Sequence, residues 1–249
     1  MMDDRAVRGF AAAEHYDAHR PSYPPEAVTF IREAGGMGGD STVLDLGAGS
    51  GLITRLLFPV GRLIAVEPLP EMRQVLRAQV PQAEVLAGSG EAIPLPSATA
   101  DVIVVAQAFH WFANREALSE IARVLKTDGT LILVWNVKDP RDPLMRRIAE
   151  ILAPHRLGSP GHDSTPWRDV LEAEDSPFVV ASHETFSFEE PMTVGGLKNR
   201  TLSASYIALL DAPRRELVLS EIDKLAGAPR DEEPLTIKYL TEVYVARRH

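Results

Sequence analysis

Three glycines spaced two residues apart, Gly47, Gly49 and Gly51, follow a short apolar run that begins at the β-branched Val43. The apolar run predicts a buried strand, and residues 52–57 after the glycines have helical spacing. Glycine lets a ligand approach the backbone closely, and the start of a helix offers unpaired N–H groups to an anion. We therefore interpret this turn as a cradle for a nucleotide or cofactor, with a simple connecting turn as the alternative.

Two acids flank the glycines at informative distances. Asp45 lies two residues before Gly47, and Glu67 ends the next apolar run, residues 63–66, twenty residues after Gly47. That spacing places the Glu67 carboxylate at the tip of the adjacent parallel strand, where it can accept the two hydroxyls of a ribose. Dinucleotide-binding dehydrogenases share this acid, but they need a third glycine or alanine where this chain has Leu52, and they do not need Asp45.

A second chemical signal is the run Ala-Gln-Ala-Phe-His-Trp-Phe at residues 106–112, directly after the most clearly apolar strand pattern of the chain. Three aromatic rings are costly to expose in one turn, so they either cover the end of the sheet or line a ligand cleft. Imidazole titrates near neutral pH, which makes His110 a candidate general base toward an acceptor hydroxyl, amine or acid. The alternative for His110 is a hydrogen-bonded structural role.

Composition restricts the classes of function. The 249 residues are 45% hydrophobic, enough for one large α/β domain or two small ones, and the net charge of −9 favours a small-molecule partner over nucleic acid. The absence of cysteine excludes disulfides, thiolate zinc sites and a cysteine nucleophile. No window approaches 18 apolar residues and the start lacks a signal pattern, so we predict a cytoplasmic protein that does not bind membranes. The spacing of the histidines completes no metal site, and we predict none.

Helical and strand patterns alternate from residue 25 to residue 135. Helices are predicted over residues 25–34, 52–57, 71–80 and 114–126, and strands over 43–46, 63–66, 84–87, 101–106 and 130–135. We expect Gly129 to end the last of these helices. The alternation predicts right-handed crossovers and a doubly wound parallel sheet, which binds ligands at the carboxyl ends of its strands.

The pattern changes beyond residue 137. A helix is predicted over residues 144–152, a Gly/Pro/Ser-rich loop over 154–167, half-buried strands over 178–188 and 239–246, and helical stretches over about 194–210 and 213–226. At the other end, residues 1–24 predict a helix followed by an extended crossing, because two prolines stop the helix. This segment is either a simple packing arm or a lid.

The acid followed by Gly-x-Gly-x-Gly resembles the first motif of class I S-adenosylmethionine-dependent methyltransferases. The Tyr-x-x-x-Arg-Pro-Ser-Tyr-Pro of residues 16–24 and the Ala-Gln-Ala-Phe-His-Trp of residues 106–111 are similar to the small-molecule group that includes trans-aconitate methyltransferase and the type 11 methyltransferases. The resemblance covers residues 10–137 well and the remainder in outline. It implies a Rossmann-like, mostly parallel sheet of seven strands, the last antiparallel. It also implies an N-terminal lid at 1–24, a cofactor-binding core at 25–137, and a part at 138–249 that completes the sheet and carries substrate-cap helices.

The resemblance also implies the site. S-adenosylmethionine would be the cofactor, and a small molecule would accept the methyl group on oxygen or nitrogen. The residues implied to bind the cofactor are Tyr16, Arg20, Asp45, Gly47, Ala48, Gly49, Gly51, Glu67, Pro68, Ser89, Gly90 and Gln107. Those implied to line the acceptor pocket are Tyr23, Phe109, His110 and Trp111. Ser89 departs from the acid that many family members place there.

Two other classes of function stay open at this point. One is a nicotinamide-dependent oxidoreductase, against which Leu52 counts. The other is a catalytically silent module that resembles a methyltransferase and binds the cofactor or a partner without turnover. The intact acids and glycines count against loss of activity. For the methyltransferase we expect a monomer or homodimer with a small-molecule methyl acceptor and no nucleic-acid or membrane partner.

Overall fold

The computed structural model describes residues 20–156, 160–226 and 234–249. Most of the predicted arm at 1–24, including Tyr16, therefore lies outside the described residues. Nine α-helices are assigned within the described ranges: α1 Pro25–Ala34, α2 Thr54–Leu57, α3 Pro70–Gln79, α4 Arg115–Val124, α5 Pro143–Leu152, α6 Trp167–Leu171, α7 Val194–Leu202, α8 Ser205–Ala208 and α9 Ala212–Ala226. The strands are β1 Thr42–Leu46, β2 Arg62–Val66, β3 Glu84–Leu86, β4 Ala100–Ala106, β5 Leu125–Lys138, β6 Phe178–Thr193 and β7 Pro234–Arg248.

The strands form one sheet in the order β3-β2-β1-β4-β5-β7-β6. The first five are parallel neighbours, and Leu44 at the centre pairs with Ile64 on one side and Ile103 on the other. Val102 to Val105 of β4 are fully buried apolar residues, as expected for a central parallel strand. The predicted doubly wound, mostly parallel sheet of seven strands is confirmed.

Strand β7 runs antiparallel to both of its neighbours. Residues in contact follow opposite directions along β6 and β7: Pro177 with His249, His183 with Tyr244, and Phe188 with Tyr239. The same opposite order relates β5 to β7: Thr130 with Arg247, and Asp139 with Lys238. The last strand is therefore antiparallel, as the family resemblance implied.

Several predicted boundaries are wrong, and the sheet explains the clearest case. Gly129 does not end a helix: α4 stops at Val124, and Leu125 already pairs with Ala100 of β4. Backbone pairing with β4 therefore extends the strand at the expense of the helix. The predicted helix at 52–57 shortens to α2, and the predicted helix at 194–210 is divided into α7 and α8.

The described chain divides into two compact units. The larger unit contains residues 22–135, 160–186 and 241–249, and the smaller unit contains the described parts of 1–21, 136–159 and 187–240. The larger unit has a core of aliphatic side chains from α1, β1, β2 and β4. The smaller unit has its own core from α5, α7, α9 and β7. No helix in the described ranges is long and apolar enough to cross a membrane.

Candidate functional site

The glycine turn has the backbone conformation that the sequence predicts. Gly47, Gly49 and Gly51 all have positive φ, at 75°, 56° and 94°. A Cβ on Gly51 would lie 2.5 Å from Leu76 Cδ1, so this glycine is required for packing against α3. A Cβ on Gly49 would meet no atom within 4 Å, so the space beside this residue is open. The turn therefore leaves room for a ligand against its backbone at Gly49.

Asp45 lies at the carboxyl end of β1 and is fully buried. Thr54 Oγ1 donates a hydrogen bond to Asp45 Oδ2, whereas Oδ1 is buried and has no hydrogen-bond partner. The pKa of Asp45 is raised to about 7, because burial and, to a smaller extent, the nearby Glu67 carboxylate raise it more than the hydrogen bond from Thr54 lowers it. A buried carboxyl with an unsatisfied oxygen is costly, so this site favours a ligand that brings a positive charge.

Glu67 directly follows β2 and is held in one position by the backbone. Its Oε2 accepts from Gly49 N at 2.9 Å, and its Oε1 accepts from Leu69 N at 2.9 Å. Burial raises the pKa of Glu67, although both backbone bonds lower it. Each carboxylate oxygen can accept a second hydrogen bond. Glu67 therefore presents two fixed acceptors next to the open side of Gly49.

Gln107 directly follows β4 and has a φ of 56°, in the left-handed region that non-glycine residues rarely adopt. Its N–H donates to the Val134 carbonyl at 2.8 Å. Strained backbone of this kind persists where the surroundings hold it and is frequent at ligand sites. The conformation turns the chain away from the sheet, directly into the aromatic run.

The aromatic run lies against the glycine turn and the loop after β3. A Cβ on Gly47 would lie 2.7 Å from Ala108 Cβ, and a Cβ on Gly90 would collide with the ring of Phe112. The fold thus brings together two motifs that lie some sixty residues apart in the sequence. Phe109 is fully buried and packs edge-on against Phe112, with ring centroids 5.7 Å apart. In this structure Phe109 contributes packing, and its predicted contact with a ligand stays a prediction.

His110 has one of its ring nitrogens fixed by a neighbour. Trp135 Nε1 donates to His110 Nδ1 at 3.1 Å. An indole N–H can only donate, so Nδ1 is the acceptor and the neutral ring carries its hydrogen on Nε2. To serve as the predicted general base, His110 would take up a proton at Nδ1 in place of this bond. The ring of Trp111 lies beside it, 5.4 Å between centroids.

The remaining predicted residues are spread over both units. Ser89 exchanges two backbone bonds of 3.2 Å with Ala92, which tightens the loop after β3. Tyr23 is buried in the same cluster as Ala48, and Arg20, in the smaller unit, donates from Nη2 to the Ser203 carbonyl at 3.4 Å. None of these geometries tests a contact with a ligand, so their proposed roles stay predictions.

Sequence analysis missed two residues that shape the turn. Thr54 is the single hydrogen-bond partner of the Asp45 carboxyl recorded in the described residues, and Arg73 Nη1 donates to the carbonyls of Glu67 at 2.9 Å and Pro68 at 2.7 Å. Arg73 therefore fixes the loop that carries both predicted residues. A hydroxyl three residues after the last glycine and a basic residue one turn into the next helix were the available signals.

A further group missed from the sequence is the histidine cluster, which we define as Trp135, His162, Asp163, Trp167 and Glu242. Trp135 and Trp167 are almost fully buried and stack with centroids 4.3 Å apart. Trp167 also packs edge-on against Phe109 at 6.5 Å. The histidine cluster therefore packs against the aromatic run through the contact between Trp167 and Phe109. Within the described ranges, no group of three His, Asp or Glu side chains could hold a metal ion.

Comparison with known proteins shows what this chain is similar to. A family model described as a methyltransferase domain matches residues 44–133, which include the glycine turn, Glu67 and the aromatic run. An uncharacterized methyltransferase-like protein of Schizosaccharomyces pombe is 37% identical over 226 residues, 90% of this chain and 88% of that protein. The similarity to this relative therefore extends well beyond residues 44–133, which the family model matches.

Solved structures with low sequence identity share the fold. One, described as a type II methyltransferase from Anaeromyxobacter dehalogenans, is 24% identical with a TM-score of 0.67, covering 92% of this chain and 97% of that one. Another is a geranyl diphosphate C-methyltransferase from Streptomyces coelicolor, solved with Mg²⁺, geranyl diphosphate and S-adenosyl-L-homocysteine. It is 13% identical with a TM-score of 0.52, covering 90% of this chain and 79% of that one.

Proposed function

Because this chain belongs to the class I S-adenosylmethionine-dependent methyltransferases, we propose that it transfers a methyl group from S-adenosylmethionine to an oxygen or nitrogen atom of a small molecule. The net charge of −9 supports a small-molecule acceptor over a nucleic acid. The family assignment leaves no support for the oxidoreductase alternative.

The observation that carries the proposal is the unsatisfied buried oxygen of Asp45. S-adenosylmethionine has an α-ammonium group, and an ammonium paired with Asp45 Oδ1 would satisfy that oxygen and lower the pKa of the carboxyl. The ribose has two adjacent hydroxyls, and the fixed oxygens of Glu67 are suited to accept from both. The open space beside Gly49 would leave room for the cofactor against the backbone of the turn. The residues present therefore fit the cofactor.

The chain's part in the reaction is mainly binding and orientation. When bound, the cofactor would supply a methyl group on a sulfonium: an acceptor lone pair would attack the methyl carbon in line, the C–S bond would break, and S-adenosylhomocysteine would leave. Asp45 would hold the amino-acid end of the donor and Glu67 its ribose, and the aromatic run would exclude water near the reacting groups. Since Trp135 already donates to His110 Nδ1, proton uptake by His110 competes with that bond. Acceptors that are nucleophilic without losing a proton first, such as a carboxylate or a neutral amine, need no general base for the attack.

The primary test is a thermal-shift series with S-adenosylmethionine, S-adenosylhomocysteine, NAD and NADP. A ligand that binds only the native state stabilises it, by about 2.7 kcal/mol at a hundred times its Kd. We expect stabilisation by the first two ligands alone. A shift with NAD and none with S-adenosylhomocysteine would overturn the proposal. Binding without S-adenosylhomocysteine production from any fraction of a metabolite extract would instead indicate a silent module.

The role of His110 can be tested once an acceptor is identified. We expect His110→Ala to lower turnover about tenfold or more while leaving the affinity for S-adenosylhomocysteine unchanged, because the residue is assigned to the acceptor rather than the donor. Asn114→Ala is a suitable control, since Asn114 caps α4 nearby but carries no proposed ligand contact. Full turnover by His110→Ala would limit His110 to packing.

A further inference from the structure

The loop before α6 places one histidine inside the histidine cluster. The His162 ring lies 5.0 Å from the Trp135 ring and 5.5 Å from the Trp167 ring, between centroids. The Trp167 Nε1 donates to the His162 carbonyl at 3.0 Å, which fixes the backbone of the loop as well. With its side chain only 15% exposed, His162 is held in one orientation by its neighbours.

Both nitrogens of His162 face carboxylates. Nδ1 lies 3.0 Å from Asp163 Oδ1, and Nε2 lies 3.1 Å from Glu242 Oε2. The second contact is off the line of an ideal hydrogen bond, so it is best described as an ion pair. Only the imidazolium form has a hydrogen on both nitrogens. The contacts therefore favour a positive charge on His162.

Other charged and polar groups near His162 and Glu242 also affect the charge on His162. Arg168 of α6 lies 3.7 Å from Glu242, and the Tyr244 hydroxyl donates to Glu242 at 2.9 Å. His183 of β6 stacks on Tyr244 with centroids 4.0 Å apart. Burial lowers the pKa of His162, but the two carboxylates outweigh it and raise the pKa above its ordinary 6.5. The contact with His162 also lowers the pKa of Glu242, as expected when a carboxylate pairs with a positively charged imidazolium.

A cation near the face of an indole ring is attracted to its electrons, an interaction that is significant within about 6 Å. The same attraction makes the indole N–H a stronger donor, because electron density is drawn away from it. In this chain that N–H is Trp135 Nε1, whose acceptor is His110 Nδ1. A charge on His162 is thus coupled through a single ring to the tautomer of His110.

We propose that His162, held by Glu242, is a positioning residue that fixes the Trp135 ring and so sets the orientation and tautomer of His110. His162 packs against the Trp135 ring and Glu242 holds His162, so both act through Trp135. The inference rests on the proposed function only in assigning His110 to the methyl acceptor. Loss of the charge on His162 weakens the Trp135 bond and frees His110 Nδ1, so the cluster makes His110 respond to pH.

Nuclear magnetic resonance of the tryptophan indoles tests this without a cofactor or a known acceptor. The chain has three tryptophans, so three indole N–H signals are expected, and Trp111→Phe and Trp167→Phe leave Trp135 assigned. We expect the Trp135 signal and the ring nitrogens of His110 to shift together as pH rises, with a midpoint above 6.5. Glu242→Gln should lower that midpoint by about one pH unit or more.

The control is Glu184→Gln, which makes the same change at an exposed acid on β6 that is not among the groups that shift the pKa of His162. We expect it to leave the midpoint unchanged. A Trp135 signal that does not move with pH in the wild-type protein would overturn the proposal, and that measurement needs no variant to fold. An equal effect of both variants would also overturn it. Cofactor binding by thermal shift is independent of either result, so failure here is distinguishable from failure of the proposed function.

Discussion

The glycine turn and the histidine cluster both contain buried or half-buried carboxylates in the larger unit, but their electrostatic states are opposite. Asp45 has an oxygen without a partner and a pKa raised to about 7. Glu242 is surrounded by His162, Arg168 and Tyr244, and its pKa is lowered. A buried polar group that has no hydrogen-bond partner within the protein usually has one in a bound ligand, ion or water. The difference is consistent with the proposed ligand binding at the turn and with an internal, supporting role for the cluster.

The largest expected difference between the two regions is in how they make the free energy of unfolding depend on pH. The pKa of Asp45 is higher in the folded protein, at about 7, than its ordinary 3.8, so the folded state binds the extra proton. The free energy of unfolding therefore falls as pH rises from 4 to 7, by about 4 kcal/mol from this group. Asp45→Asn should remove that slope. Urea unfolding of the wild-type protein and of Asp45→Asn at pH 5 and pH 8 measures this pH dependence. An equal change in the free energy of unfolding in the two proteins would contradict the prediction.

The next effect is on cofactor affinity. Asp45→Asn should weaken S-adenosylhomocysteine binding by about 3 kcal/mol, or roughly a hundredfold, because the ligand ammonium loses its buried partner. Isothermal titration calorimetry at pH 8 measures this. Asp101→Asn removes a carboxylate from β4 that pairs with Lys126, and it should leave affinity unchanged. If the two variants bind equally well, Asp45 does not face the cofactor.

In the histidine cluster, Glu242→Gln should reduce stability by about 2 kcal/mol at pH 6, between the values for exposed and fully buried pairs. The raised pKa of His162 gives stability that is present below its ordinary value of 6.5 and lost as pH rises through the folded pKa. The cost of Glu242→Gln should therefore shrink by pH 9. Affinity for S-adenosylhomocysteine should not change. A loss of affinity as large as that of Asp45→Asn would erase the distinction between the regions.

The smallest predicted effect concerns one methyl group. Gly49 and Gly36 share a positive φ, 56° and 59°, and both have open space where a Cβ would lie. Alanine at either position should cost about 1 kcal/mol of stability through backbone strain. Only Gly49→Ala should also weaken S-adenosylhomocysteine binding, because its Cβ occupies the space assigned to the ligand. Equal affinities in the two variants would place the cofactor elsewhere.

Much of the larger unit could be predicted from local sequence. Helix α1 has the predicted bounds, and the predicted strands at 63–66 and 101–106 each begin one residue earlier in the structure. These segments have apolar spacing that only one regular structure satisfies. The bounds of α4 and β5 could not be predicted, because Leu125 fits a helical pattern locally and pairing with Ala100 decides its conformation.

The sequence by itself determined the placement of the acids and glycines at the glycine turn, because Asp45, the glycines and Glu67 lie within one strand-turn-helix-strand stretch whose spacing fixes their positions. Only the tertiary structure decided the histidine cluster, since Trp135, His162 and Glu242 are far apart in the chain. It also decided the partner of His110 and the unsatisfied oxygen of Asp45. Hydrogen-bond partners and burial arise from packing between distant segments, and no local pattern records them.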